Sequence, residues 1–168
     1  MDAGALAVRL TIWSSVLAWV VAEWRRTSSG ASATRGRRAW TVGALAAVVH
    51  AALAFQVHHA WSHAAAVADT ARRTAAVTGL AWGGGVYLNY AFLAAWSADV
   101  FWWWLDAGSF RRRPRGLDAA LRAFLWFMFV NGTFVFVCGP LRWVGAGAAL
   151  AVAFAWYRGR GRRTGEHG

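Results

Sequence analysis

Lysine is absent from this chain, and all 18 basic residues are arginines, set against only 7 acidic residues and a single cysteine, Cys138. One cysteine excludes an intramolecular disulfide framework and the multi-cysteine metal motifs. Charge of either sign is scarce: 15% of residues are charged, where a soluble domain carries about a quarter. No GxSxG, P-loop or GxGxxG signature occurs, so nothing supports a soluble catalytic fold. The arginine-only basic set, with abundant alanine and glycine, is the residue usage of a GC-rich genome.

What charge there is lies in clumps. The net charge of +11 alone would suggest nucleic-acid binding. The arginines, however, cluster at the ends of long uncharged stretches, where the positive-inside rule places them in membrane proteins. We therefore expect no nucleic-acid partner, and a lipid bilayer instead. An uncharged run of about 20 residues is enough for one transmembrane helix. Five such segments are expected, at about 6–24, 40–59, 86–104, 119–138 and 141–157. Strand-like alternation is missing, so the expected fold is an all-α helix bundle. Residues 1–157 form one domain in this reading, followed by a disordered basic tail at 158–168.

The first segment ends in Glu23-Trp24-Arg25-Arg26, which reads as a membrane-exit anchor, so this helix is expected to be retained rather than cleaved. Glu23 itself reads as one half of a surface ion pair. Residues 27–38 are rich in serine, glycine and arginine and are expected to form a solvated loop. Residues 60–82 read as a short amphipathic helix at the interface, and Gly83-Gly84-Gly85 as a break. Residues 106–118 read as a basic loop, and Gly139-Pro140 as a tight turn.

Orientation follows from the arginines. Arg25, Arg26, Arg35, Arg37, Arg38, Arg111, Arg112, Arg113, Arg115, Arg122, Arg158, Arg160, Arg162 and Arg163 share one side; Arg9, Arg72, Arg73 and Arg142 are left for the other. The fourteen mark the cytoplasmic face, which puts the N-terminus outside and the C-terminus inside. The expected location is a bacterial inner membrane. The chain shows no internal repeat, which argues against an inverted-repeat transporter.

Candidate chemistry concentrates in the histidines. His50, His58, His59 and His63 fall within 14 residues, and His59 and His63 share a face if the helix is continuous. Such a pair, with His58 nearby and Asp69 as an added carboxylate, is a candidate transition-metal site. The residue after His59 is Ala60, so the HExxH signature of zinc proteases is not met. His50 lies mid-span and is a candidate haem ligand with Met128, or with His50 of a second copy.

The other intramembrane polar residues are Asn89, Asp99 and Asn131. The asparagines are expected to hydrogen-bond across helices. Asp99 is expected either to face the interior and pair with His50, Arg122 or a backbone group, or to lie one turn from the interface and reach water, the reading that its closeness to Trp102–Trp104 favours. Trp82, Trp96 and Trp126 are candidates for lining a cleft, although most of the 13 tryptophans fit interfacial belts. Small residues around Gly145 and Gly147 give the last segment a smooth face for internal packing, a membrane-protein partner or a homo-oligomer. The leading expectation is a non-enzymatic accessory or scaffold subunit of a membrane complex. The alternatives are a metal- or haem-binding membrane protein, and a small transporter or lipid-handling protein using His50 and Asp99.

Overall fold

The computed structural model describes residues 2–26, 32–137 and 139–164. All of the regular structure among them is helical, with no strand. The α-helices are α1 (Ala3–Arg26), α2 (Ser32–His59), α3 (His63–Thr78), α4 (Gly85–Leu105), α5 (Ala107–Arg112), α6 (Arg115–Val130) and α7 (Leu141–Thr164). A π-helical turn, Asn131–Val135, extends α6. α1 and α2 are long and apolar enough to cross a membrane, over Ala3–Arg25 and Arg35–His59; a shorter apolar stretch runs over Leu141–Tyr157.

α1 and α2 form the most extensive helix pair, and α1 also packs against α7. α7 meets the π-turn and α6, α6 meets α4, and α4 returns to α2. The five helices α1, α2, α4, α6 and α7 thus close into a ring. The core inside it is built from Val16, Trp19, Trp40, Ala44, Ala47, Trp96, Leu125, Phe129, Ala149 and Val152. Trp19 meets Phe129 edge-on at 4.3 Å, and Trp40 lies 5.0 Å from Trp96. Small residues set the close approach of α1 and α2. The Ser15 hydroxyl donates to the Gly43 carbonyl at 2.8 Å, and a Cβ on Gly43 would lie 2.8 Å from the Trp96 ring.

Several boundaries differ from the sequence reading for local reasons. α2 starts at Ser32 rather than Trp40, because nothing in the arginine-rich segment breaks a helix; residues 27–31 lie outside the described residues. The 106–118 loop instead contains α5 and the first turn of α6. Asp106 caps α5 by accepting from the Ser109 N–H at 2.8 Å. Arg113 then adopts extended backbone (φ −56°, ψ 147°) before Pro114, because the proline ring disfavours helix in the residue preceding it. The helical stretch expected over 119–138 is α6 plus the π-turn; Cys138 lies outside the described residues. α7 continues past Tyr157 to Thr164.

The helical pattern at 60–82 resolves into α3. Ala60 and Trp61 take left-handed backbone (φ 46° and 61°) and separate it from α2. Ser62 caps α3 by accepting from the Ala65 N–H, and Gly79 closes it with φ 81°. The α3–α4 connection carries the exposed side chains Leu80 and Trp82, and α4 begins at Gly85.

Candidate functional site: a buried ion network and a histidine cluster

Asp99 is buried on α4, with its side chain 2% exposed. Its Oδ2 accepts from Trp40 Nε1 on α2 at 2.9 Å, and its Oδ1 accepts from Arg113 Nη1. The Arg113 side chain is equally enclosed, at 4% exposure. Its guanidinium lies 4.3 Å over the Phe110 ring, which stacks on Trp103 at 4.6 Å. The extended backbone before Pro114 is what turns this arginine inward while its neighbours Arg111 and Arg112 are exposed.

From Arg113 the network continues. Arg113 Nη2 donates to Asp118 in the first turn of α6, and Asp118 Oδ2 lies 2.9 Å from Arg122 Nε one turn on. Arg122 Nη1 donates to Glu23 Oε2 on α1 at 3.1 Å, and Trp156 Nε1 on α7 donates to the same oxygen at 2.7 Å. Glu23 is fully enclosed, at 0% exposure. Carboxylates and guanidiniums therefore alternate from Asp99 to Glu23, and the network touches all five helices of the ring. A charge taken out of water costs several kcal/mol unless it is paired and hydrogen-bonded. Here the partners come from five different helices and the Arg113 turn, so the charges are held only while the bundle is assembled.

Beside the network, Arg37 lies 3.9 Å over the Trp104 ring and donates to the Trp103 carbonyl at 3.4 Å; Trp104 Nε1 donates to Thr41 at 2.9 Å.

At the opposite end of α2, His63 opens α3. Its Nδ1 lies 3.0 Å from the Tyr90 hydroxyl and its Nε2 lies 3.3 Å from the Tyr87 hydroxyl. His58 and His59 stand with ring centroids 6.3 Å apart. They line a cleft of about 250 Å³ together with Ala65, Ala68, Asp69, Arg72 and Arg73. Asp69 is engaged by Arg72 and Arg73, each at 2.7 Å. Its burial pushes the carboxyl up, but the hydrogen bonds and charges of Arg73 and Arg72 outweigh that and hold it below the ordinary value.

The structure separates several residues that the sequence placed together. The left-handed pair Ala60–Trp61 breaks the helix between His59 and His63, so the one-face argument for these two fails. No three His, Cys, Asp or Glu side chains gather as a metal-binding group among the described residues. His50 Nδ1 lies 2.9 Å from the Val8 carbonyl on α1. Trp40, which binds Asp99, is ten residues away on α2, or about 15 Å at 1.5 Å per residue. His50 and Asp99 therefore do not form one site. Met128 is on α6, which packs against α4, the π-turn and α7, whereas His50 faces α1. Asn131 donates to the Phe127 carbonyl of its own helix at 2.8 Å, and Asn89 is exposed; the cross-helix roles expected of both are replaced accordingly. Trp96 is a core residue at 3% exposure, and Trp82 is exposed at 52%, so they share no cleft.

The sequence reading missed Arg113, Trp40 and Trp156, and took Glu23 for a surface residue. The available signal was an arginine directly before proline, next to a helix end holding the tryptophan run and Asp99. No protein-family model, curated protein or solved structure matches the chain.

Proposed function

We propose that the chain is a multi-pass membrane protein with five spans, formed by α1, α2, α4, α6 with its π-turn, and α7. The N-terminus faces outside and the C-terminus the cytoplasm of a bacterial inner membrane. Its role is that of a non-enzymatic accessory subunit that lends a rigid helical body to a membrane complex. One observation supports this reading: carboxylates are enclosed while large apolar side chains are left exposed. Glu23 and Asp99 are enclosed at 0% and 3% exposure, while Leu17, Leu45, Phe101 and Leu150 stand 61–70% exposed. Only 28% and 22% of the apolar stretches of α1 and α2 are buried. The core helix of a water-soluble domain buries most of its apolar surface, whereas a lipid-solvated helix has no reason to.

The structural role rests on where the polar groups go. The ion network and the Ser15, His50 and Thr133 bonds are directed at the chain's own groups. The arrangement holds helices together and does not aim reactive groups at a shared cavity. The test is solubilisation of native membranes in a mild detergent, followed by native electrophoresis and crosslinking mass spectrometry. Co-migration with a defined partner at fixed stoichiometry is expected. Migration as a free single chain after crosslinking would overturn the accessory role.

A further inference from the structure

The cleft between α2 and α3 lies outside the ion network, and its chemistry favours one sign of ligand. Arg72 and Arg73 are side by side because Asp69 holds both, through Arg72 Nη2 and Arg73 Nε. Each guanidinium carries five N–H donors in a planar fork. Each commits one nitrogen to Asp69, and the side chains are 72% and 62% exposed, so the remaining donors are open to a ligand. Across the cleft stand His58 and His59 at the end of α2. The carbonyls of Phe55 and His59, which would repel an anion, are covered by the Trp61 and Ser62 N–H groups at 3.2 and 2.8 Å.

A metal ion would need Asp69, yet both oxygens of that carboxylate are taken by cations, and a further cation would meet two guanidiniums. The depressed Asp69 titration agrees, since it keeps the clamp ionised at neutral pH. The cleft of about 250 Å³ holds roughly eight waters at about 30 Å³ each, which suits a small polyatomic anion and its hydration water. Paired guanidiniums match the oxygens of phosphate bidentately.

We propose that this cleft binds a phosphate-class anion, held by Arg72 and Arg73 against the imidazoles of His58 and His59. The phosphate comes from a free anion or from an anionic lipid headgroup. The site does not depend on the accessory-subunit reading, and its free-anion arm does not depend on the membrane reading either.

The test uses the full chain, purified in a neutral sugar detergent and a phosphate-free buffer. Inorganic phosphate is titrated calorimetrically into wild type, Arg72→Gln/Arg73→Gln and Asp69→Asn. In parallel, each protein is repurified after exposure to phosphatidylglycerol or phosphatidylcholine, and retained phosphorus is measured per chain. Saturable binding of phosphate, selective retention of phosphatidylglycerol, or both, is expected in wild type. Phosphate alone identifies a soluble anion, and phosphatidylglycerol alone identifies a headgroup. The double variant should weaken binding at least tenfold while eluting and showing circular dichroism as wild type does. Asp69→Asn, whose amide oxygen still accepts from an arginine while a negative charge next to the ligand is removed, should bind more tightly than the double variant. Binding of neither probe, or binding unchanged in the double variant, overturns the proposal. So does uptake of Zn²⁺ by wild type that Asp69→Asn abolishes, because that is the behaviour of a cation site.

Discussion

Asp99 and Asp69 each bind arginine, and their surroundings set very different consequences for losing one partner. Asp99 and Arg113 are both almost fully enclosed. Removing one member of a buried pair costs about 3–5 kcal/mol, and Asp118, which also holds Arg113, keeps the loss of Asp99 toward the lower end. Asp99→Ala should therefore lower thermal stability in detergent sharply, read by a fluorescence or aggregation melt. Trp40→Phe keeps the ring in the core and removes one hydrogen bond to a charged acceptor, so it should cost about 1.5–3 kcal/mol in the same assay. A Trp40→Phe loss as large as that of Asp99→Ala would show that ring packing, not the bond to the carboxylate, carries the effect. Asp69 is the surface counterpart. Its folded titration lies below the ordinary value of 3.8. The stability it gives to α3 is thus fully present above that value and is lost as pH falls through the depressed one. Hydrogen exchange along α3 should quicken in strong acid in wild type, and that acid-specific increment should vanish in Asp69→Asn.

At the scale of helices, glycines divide by what surrounds them. A Cβ on Gly43 would meet the Trp96 ring at 2.8 Å, and one on Gly145 would meet the Thr133 carbonyl oxygen at 2.5 Å, whereas among the described residues nothing beyond its own stretch of helix lies within 4 Å of one on Gly147. Gly43→Val should overpack the α1–α2–α4 junction and destabilise by about 1–3 kcal/mol. Gly147→Ala should be neutral or stabilising by up to about 1 kcal/mol, through helix propensity. Paired melts of the two variants check both. Legibility from sequence was also uneven at this scale. Helix class, the C-terminal end of α2, both ends of α4 and the presence of a short helix within 60–82 follow from apolar run length and the glycine punctuation, all of which are local. Arg113 was not legible, because an arginine in a basic run looks solvated until the pre-proline backbone and the Phe110–Trp103 stack are seen to turn it inward. The His59–His63 pairing failed for a related reason. Two residues of left-handed backbone, at alanine and tryptophan, have no sequence signature, since glycine is the residue expected there.

For the molecule as a whole, the proposed topology has a direct check. In a Cys138→Ala background, cysteines placed at Arg111 and at Ala65 should label from opposite faces of sealed vesicles. A membrane-impermeant thiol reagent applied from outside the cell should reach position 65 and not position 111. Labelling of both from one side would overturn the five-span arrangement.

The ion network also has a consequence in time. Arg122 and Trp156 lie 99 and 133 residues beyond Glu23 in the chain. At about 5–20 residues per second, a ribosome takes roughly 7–27 s to travel from Glu23 to Trp156. Throughout that interval the α1–α2 hairpin lacks Trp156, and for most of it Arg122, both of which donate to Glu23 in the finished molecule. The enclosure of Glu23 is thus completed only when the last helix has been made. A chain stopped between α6 and α7 lacks Trp156, so Glu23 is then without one of the donors of the finished molecule.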